Sequence, residues 1–229
     1  MSLQTSSPRA CSFPRCGRKT HGWSHLCSEH AAQQHRHGAA GKAGVRESDY
    51  RPYNLWVGAG LAKYRNRAST AAALTLAQQL LDYEPANGFR FQIELQRMMG
   101  LLKGDEVTAS DVLHRVCLHV AFATANPGRF SGGERVERIA IGRAVMRLAP
   151  LNRRGKRYTS RALYLLGDIV MSDGLYLYAI KLIDKLKSDD EQAYALKQAA
   201  VDFETPAQVP VDQPRAGVRY RKRRGVQVV

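Results

Sequence analysis

Ser110-Asp111-Val112-Leu113-His114-Arg115-Val116-Cys117-Leu118-His119-Val120-Ala121-Phe122-Ala123-Thr124 is the stretch that settles the fold class. Leu113, Cys117 and Ala121 recur every four residues, beside Val112, Val116 and Val120. Strict alternation would mark a strand. This spacing instead lays a broad apolar face along a helix. Ser110 is the expected N-cap, with the helix running from Asp111 to Thr124. Cys117 falls on the buried face, where packing explains a thiol better than reactivity does. His114 and His119 are five residues apart, so they do not share a face as an i, i+4 pair would.

The same period continues outward on both sides. Upstream, the pattern turns helical from about Asn54. Ser69 or Thr70 is placed to cap a helix over Ala71 to Tyr83 with Ala73, Leu76, Ala77, Leu80 and Leu81 on its apolar side. Pro85 and Gly88 end it. A second helix over Phe89 to Lys103 turns Phe91, Ile93, Leu95, Met98, Met99 and Leu102 inward and stops at Gly104.

Downstream, Pro127 and Gly128 break the chain. Ser131 then opens a helix to about Leu148, with Ile139, Ile141, Val145 and Leu148 inward and Pro150 as its stop. Ser131 with Glu134 three residues on reads as a capping box. The wording Phe130-Ser131-Gly132-Gly133-Glu134 is similar to the signature motif of transporter ATPases. No phosphate-cradling G-x-x-x-x-G-K-[ST] loop accompanies it, so the similarity carries no nucleotide chemistry.

Ala162 to Lys187 is the most apolar segment. Asp173-Gly174 between apolar runs would suit a strand hairpin. Ile180, Ile183 and Leu186 keep helical spacing, so a helical hairpin turning at Ser172-Asp173-Gly174 is preferred. Asp189, Asp190 and Glu191 suit the start of a last helix, to about Asp202.

The N-terminal stretch Cys11 to His30 follows a different logic. Cys11 and Cys16 form a C-x4-C pair, and Cys27 and His30 a C-x2-H pair. Two close pairs joined by a short loop suit tetrahedral zinc, and three thiolates with one imidazole leave no position for a catalytic water. The site expected is therefore structural Zn2+. Disulfides fit poorly, because three cysteines cannot all pair among themselves and no secretory signal precedes them. His21, His25, His35 and His37 compete for the fourth position, and His30 is favoured for its tight spacing to Cys27. A short helix from His30 to Gly38 follows. Gly38, Gly41 and Gly44 then read as a flexible connector, and Asp49 to Tyr53 as the join to the helical body.

This module resembles small Cys3His zinc motifs of bacteriophage and mobile-element proteins, some of them homing-type nucleases. The matching residues are Cys11, Cys16, Arg18, Gly22, Leu26, Cys27, His30, Arg36, His37 and Gly38, over about residues 9 to 53. Ala39-Ala40 replaces the usual Asp-Pro, and the Gly before Leu is displaced. The resemblance implies a DNA-associated protein and does not extend to the rest of the chain.

The chain is therefore expected to be mainly α. A disordered start (1–10) and a zinc-stabilised module with its linker (11–48) precede a helical body (49–203), and a basic disordered tail (204–229) follows. The apolar fraction is 44% and no apolar run approaches a membrane span, so no membrane role is expected. Cysteine usage and the absence of a signal peptide point to the cytoplasm, of a host cell if the chain is phage-encoded.

The net charge is +15 and the isoelectric point about 10.0. Such an excess is an argument about partners, and nucleic acid is the first candidate, since Lys and Arg release its condensed counterions. The expected contacts are Arg15, Arg18, Lys19 and Arg36 in the zinc module, and Arg153, Arg154, Lys156, Arg157, Tyr158 and Arg161 in the loop before the hairpin. Arg219, Arg221, Lys222, Arg223 and Arg224 in the tail complete them. In the loop, Thr159 or Ser160 would cap a helix whose N-terminus favours phosphate, and Tyr158 could stack on a base.

DNA is favoured over RNA as the partner. The expected role is a zinc-containing accessory or regulatory protein of transcription, replication or recombination. A protein-interaction factor that binds a polymerase, and a metal-dependent nuclease, are the alternatives. No catalytic constellation is legible: there is no His-Asn-His arrangement, no G-x-S-x-G and no dinucleotide loop. The sequence leans against an enzyme.

Overall fold

The computed structural model of the chain describes residues 9–20, 24–84, 90–104, 106–149, 158–172 and 174–189. Among these residues it is mainly helical: α1 Ser28–His37, α2 Arg51–Tyr64, α3 Ala68–Asp82, α4 Arg90–Gly104, α5 Ala109–Ala125, α6 Pro127–Phe130, α7 Glu134–Met146, α8 Ser160–Ser172 and α9 Leu175–Asp189. A single 3-10 turn, Ser48–Tyr50, leads into α2. The expected last helix beyond Asp189 and the tail lie outside the described residues.

Helix α5 is the axis of the body, packed against α2, α3, α7 and α9. Its sequence explains the position. Val112, Leu113, Val116, Cys117, Val120 and Ala121 are fully or almost fully buried. Burying apolar surface on this scale, at about 25 cal/mol per Å², is what fixes the helix in the centre. The Cys117 thiol is pushed up to about 12 by that burial, which keeps it protonated and inert. Its N-cap is Thr108, two residues earlier than Ser110. The Thr108 hydroxyl accepts from Asp111 N at 3.2 Å and Asp111 Oδ2 accepts from Thr108 N at 2.9 Å, a reciprocal capping box.

Two other expected caps are corrected. Ser131 is not the N-cap of α7. Gly133 takes that position at φ 91, and Glu134 is spent on an i, i+4 ion pair with Arg138. The Ser131 hydroxyl instead donates to Gly128 O at 3.0 Å and accepts from Lys42 Nζ at 2.6 Å. Thr70 lies inside α3, which starts at Ala68. Its hydroxyl donates to Tyr64 O and meets the Tyr178 hydroxyl, each at 2.8 Å, tying α3 to α2 and α9.

The apolar hairpin is helical, as its spacing predicts, with Gly174 at φ 76 in the turn. Thr159 is the residue that caps α8, accepting from Ala162 N, and the Glu94 carboxylate of α4 accepts from the Thr159 N–H at 2.6 Å. Ile93, expected inward, is 43% exposed, whereas Leu95, Met98, Met99 and Leu102 are buried.

The tightest helix contact is between α7 and α8, and it is made by backbone. A Cβ on Gly142 would overlap the Leu163 carbonyl oxygen. A Cβ on Gly167 would overlap the Arg138 carbonyl oxygen and lie 2.6 Å from its carbon. Only glycine allows this approach. No single helix among the described residues is long and apolar enough to cross a membrane.

The connector 38–47 is not loose. Gly38 ends α1 at φ 88 and packs on the Val136 backbone of α7. Lys42 Nζ donates to Gly128 O at 2.7 Å, Arg147 donates to Val45 O at 2.5 Å, and Glu47 pairs with Arg115 at 2.6 Å. The glycines serve close approach rather than flexibility, and the segment is a strap across α5, α6 and α7.

Candidate metal centre

The metal-binding half of the module is built from one turn and one helix start. Cys11 N donates to Arg18 O, and Thr20 N to Arg9 O, both at 2.8 Å. These bonds close an antiparallel bridge between Ala10 and Lys19 and fold residues 12–18 into a knuckle. Arg15 and Gly17 turn the knuckle at φ 61. Cys11 and Cys16 stand at its two sides. Cys27 is the N-cap of α1 and His30 lies in its first turn, so the helix presents both on one side.

The four donor atoms Cys11 Sγ, Cys16 Sγ, Cys27 Sγ and a His30 ring nitrogen all lie within 4.8 Å of one another. His30 Nδ1 is 3.5 Å from Cys11 Sγ and 3.4 Å from Cys27 Sγ, and Cys16 Sγ is 3.7 Å from Cys27 Sγ. None of the cysteines forms a disulfide. Of the five histidines weighed for the fourth position, His30 is the one brought to the cysteines among the described residues. His21 lies outside them.

Neighbouring groups prepare the donors. Burial pushes the Cys11 thiol up, but hydrogen bonds from the backbone N–H groups of Cys27 and Phe13 outweigh it and hold the thiol below its ordinary value. The Cys27 N–H to Cys11 Sγ distance is 3.2 Å. The His30 backbone N–H, at the positive end of α1, holds the Cys27 thiol low. The Arg18 N–H lowers Cys16, yet burial and the adjacent Cys27 and Cys11 sulfurs carry it above its ordinary value. Crowding three sulfurs of one sign is what a cation relieves. The Phe13 ring fixes the imidazole from outside: its centroid is 4.0 Å from that of His30, and it rests over Gly41, where a side chain would clash with it.

Such a donor set can hold a metal ion through four protein ligands. With all four bound to one ion, no open position would be left for a metal-activated water.

The expected nucleic-acid contacts divide into three groups. Arg15, Arg18, Lys19 and Arg36 are exposed on the knuckle and on α1, Arg18 being paired with Glu29. Arg161 lies 4.5 Å over the Phe91 ring of α4, and Tyr158 packs against the helical core. Arg153, Arg154, Lys156 and Arg157, with Arg219, Arg221, Lys222, Arg223 and Arg224, lie outside the described residues.

Sequence reasoning missed Lys42, Arg46 and Arg143, which gather beside Arg36. Lys42 and Arg46 stand in what reads as a connector, and Arg143 reads as an ordinary helix-surface cation. His119, which the sequence places five residues from His114 and off its face, is fully buried, with Nδ1 at 3.0 Å from the Tyr50 hydroxyl and Nε2 without a partner. Burial lowers its pKa to about 3, so it is neutral and part of the core rather than of a site.

Comparisons with protein-family models, with curated proteins and with solved structures found no match.

Proposed function

We propose that the chain is a zinc-containing nucleic-acid-binding accessory protein of phage or mobile-element type, with DNA favoured, acting in transcription, replication or recombination. The observation that carries the reading is the coincidence of the Cys3His cluster with exposed Arg15, Arg18, Lys19 and Arg36 in a chain of net charge +15. Zinc is favoured as the metal because three thiolates and one imidazole are a donor set of structural zinc sites. A tetrahedron with Zn–S near 2.3 Å and Zn–N near 2.0 Å has S···S edges of about 3.8 Å and S···N edges of about 3.5 Å. Three of the six donor–donor edges, at 3.7, 3.5 and 3.4 Å, match such a frame, and all four donors lie within 4.8 Å of one another. With four protein ligands the ion acts as a fold organiser, and it lets a knuckle too small for a core hold its cations in place.

Phosphate contacts supply affinity and register, while base edges supply any sequence preference. The test is a fluorescence-anisotropy titration of labelled duplex DNA with the zinc-loaded protein across a salt series. Binding whose logarithm falls linearly with the logarithm of salt supports the reading. Absent binding, or affinity indifferent to salt, refutes it.

A further inference from the structure

A groove of about 450 Å³ opens between α1 and the strap, lined by Glu29, Gln33, Arg36, His37, Lys42 and Arg46. Its charge is one-sided. Glu29 is taken by Arg18. Glu47 pairs with Arg115, and Asp49 accepts from Arg46 N and faces Arg129. That leaves the guanidinium groups of Arg36 and Arg46 without a carboxylate partner among the described residues. Lys42 Nζ bonds only neutral oxygens, those of Gly128 and Ser131.

Behind them, Arg143 donates to His37 Nδ1 at 3.1 Å and to Arg36 O at 2.8 Å, again neutral acceptors. A donating guanidinium at Nδ1 leaves the His37 proton on Nε2. Burial, then the nearby Arg147 and Arg36 charges, hold the Arg143 guanidinium below its ordinary value. Arg36, Lys42 and Arg46 thus line one groove, with Arg143 bonded to Arg36 O and His37 behind it, and like charges sharing a groove favour an anion there.

We infer that the groove between α1 and the strap is the seat of a nucleic-acid phosphodiester backbone, contacted by Arg36, Lys42 and Arg46 and backed by Arg143. The inference rests on the nucleic-acid reading above and gives it a surface. Arg36 and Arg46 supply forked donors suited to two phosphate oxygens, and Lys42 a point charge. The metal centre acts at one remove: Cys27 and His30 fix the start of α1, whose other end carries Arg36. As a phosphate seat the groove contributes affinity and register rather than sequence choice.

The test compares two double variants of the zinc-loaded full chain, equal in charge change. Arg36→Gln with Arg46→Gln alters the groove. Arg97→Gln with Lys181→Gln removes two exposed cations elsewhere. Affinity is measured by anisotropy across a salt series on a labelled duplex DNA of about 20 base pairs and on a single-stranded RNA of the same length, which also distinguishes the two sources of the backbone.

The groove variant is expected to bind on the order of ten-fold more weakly near 0.1 M salt, with a log–log slope shallower by about 1.8 on DNA. The control is expected to keep the wild-type slope. Arg36→Lys with Arg46→Lys should restore the slope, which separates lost charge from lost folding. Equal losses in both double variants, or an unchanged slope in the groove variant, overturn the inference while leaving nucleic-acid binding standing. A wild-type chain that binds neither probe overturns both.

Discussion

Replacing Gly167 by alanine should loosen the α7–α8 pair from the inside. The new Cβ would lie 2.6 Å from the Arg138 carbonyl carbon and 2.9 Å from its Cα, where ordinary contact begins near 3.4 Å. Backbone cannot rotate away as a side chain does, so the helices must part by roughly 1 Å along the crossing. Overpacking of this kind costs about 1–3 kcal/mol. A gap of up to 1 Å also forfeits about a quarter to a half of each facing dispersion contact. Alanine returns about 1 kcal/mol through helix propensity.

With roughly 1 kcal/mol of dispersion lost, the net expectation is a loss of about 1–3 kcal/mol, or a fall in Tm on the order of 2–12 °C for a chain of this size. Gly142→Ala, facing the Leu163 carbonyl from the other helix, should cost about the same. The double variant should cost clearly less than the sum, because the first substitution already parts the helices. Gly100→Ala is the matched control. No atom lies within 4 Å of its Cβ position on α4, so it should stabilise by about 0.5–1 kcal/mol. Urea unfolding followed by circular dichroism at 222 nm measures all four. A neutral Gly167→Ala, or costs that simply add, would refute the backbone-contact account.

Three further outcomes are expected. His119 is neutral in the fold with a pKa lowered from 6.5 to about 3. The unfolded chain therefore takes up a proton first, and stability should fall as pH drops from about 6.5 towards 3, by at most about 1.4 kcal/mol per pH unit from this group. The difference between wild type and His119→Gln across that window isolates it, since the metal ligands are common to both; a flat difference would contradict the burial. Removing the metal with a chelator should abolish amide protection in residues 9–20 and 27–37 and spare α5, and cobalt(II) should replace the metal at one ion per chain with a tetrahedral thiolate spectrum. Unchanged protection would mean the ligand set is wrong. Glu94→Ala should cost about 1–2 kcal/mol by removing the acceptor of the Thr159 N–H at the start of α8, read as a shift in urea midpoint.

Period and spacing carried much of the structure in local signals. The apolar face of α5 and the helical hairpin of α8 and α9 are set by residues a turn or two apart, and the metal-ligand quartet by two close pairs, Cys11 with Cys16 and Cys27 with His30. What stayed hidden depends on partners far along the chain. Thr108 rather than Ser110 caps α5 because Asp111 closes the box with it, and Ser131 yields its cap position because Lys42 holds it. Gly38, Gly41 and Gly44 look like punctuation until Val136, Phe13 and His37 are brought against them. Arg36, Lys42 and Arg46 become a group only when the strap folds back on α1, so no linear pattern announces them.

The strap's bonds close very long loops: Lys42 to Gly128 spans 86 residues, Val45 to Arg147 spans 102 and His37 to Arg143 spans 106. Closure of such loops is entropically unfavourable until the far side exists, so these contacts belong late on the folding path, after the local helix pairs have formed. Substitutions in the strap should then leave the refolding rate nearly unchanged and speed unfolding instead. During synthesis the knuckle and strap emerge well before the helices that receive them. In that interval a metal ion held by Cys11, Cys16, Cys27 and His30 would keep the N-terminal segment in shape, a template awaiting its dock.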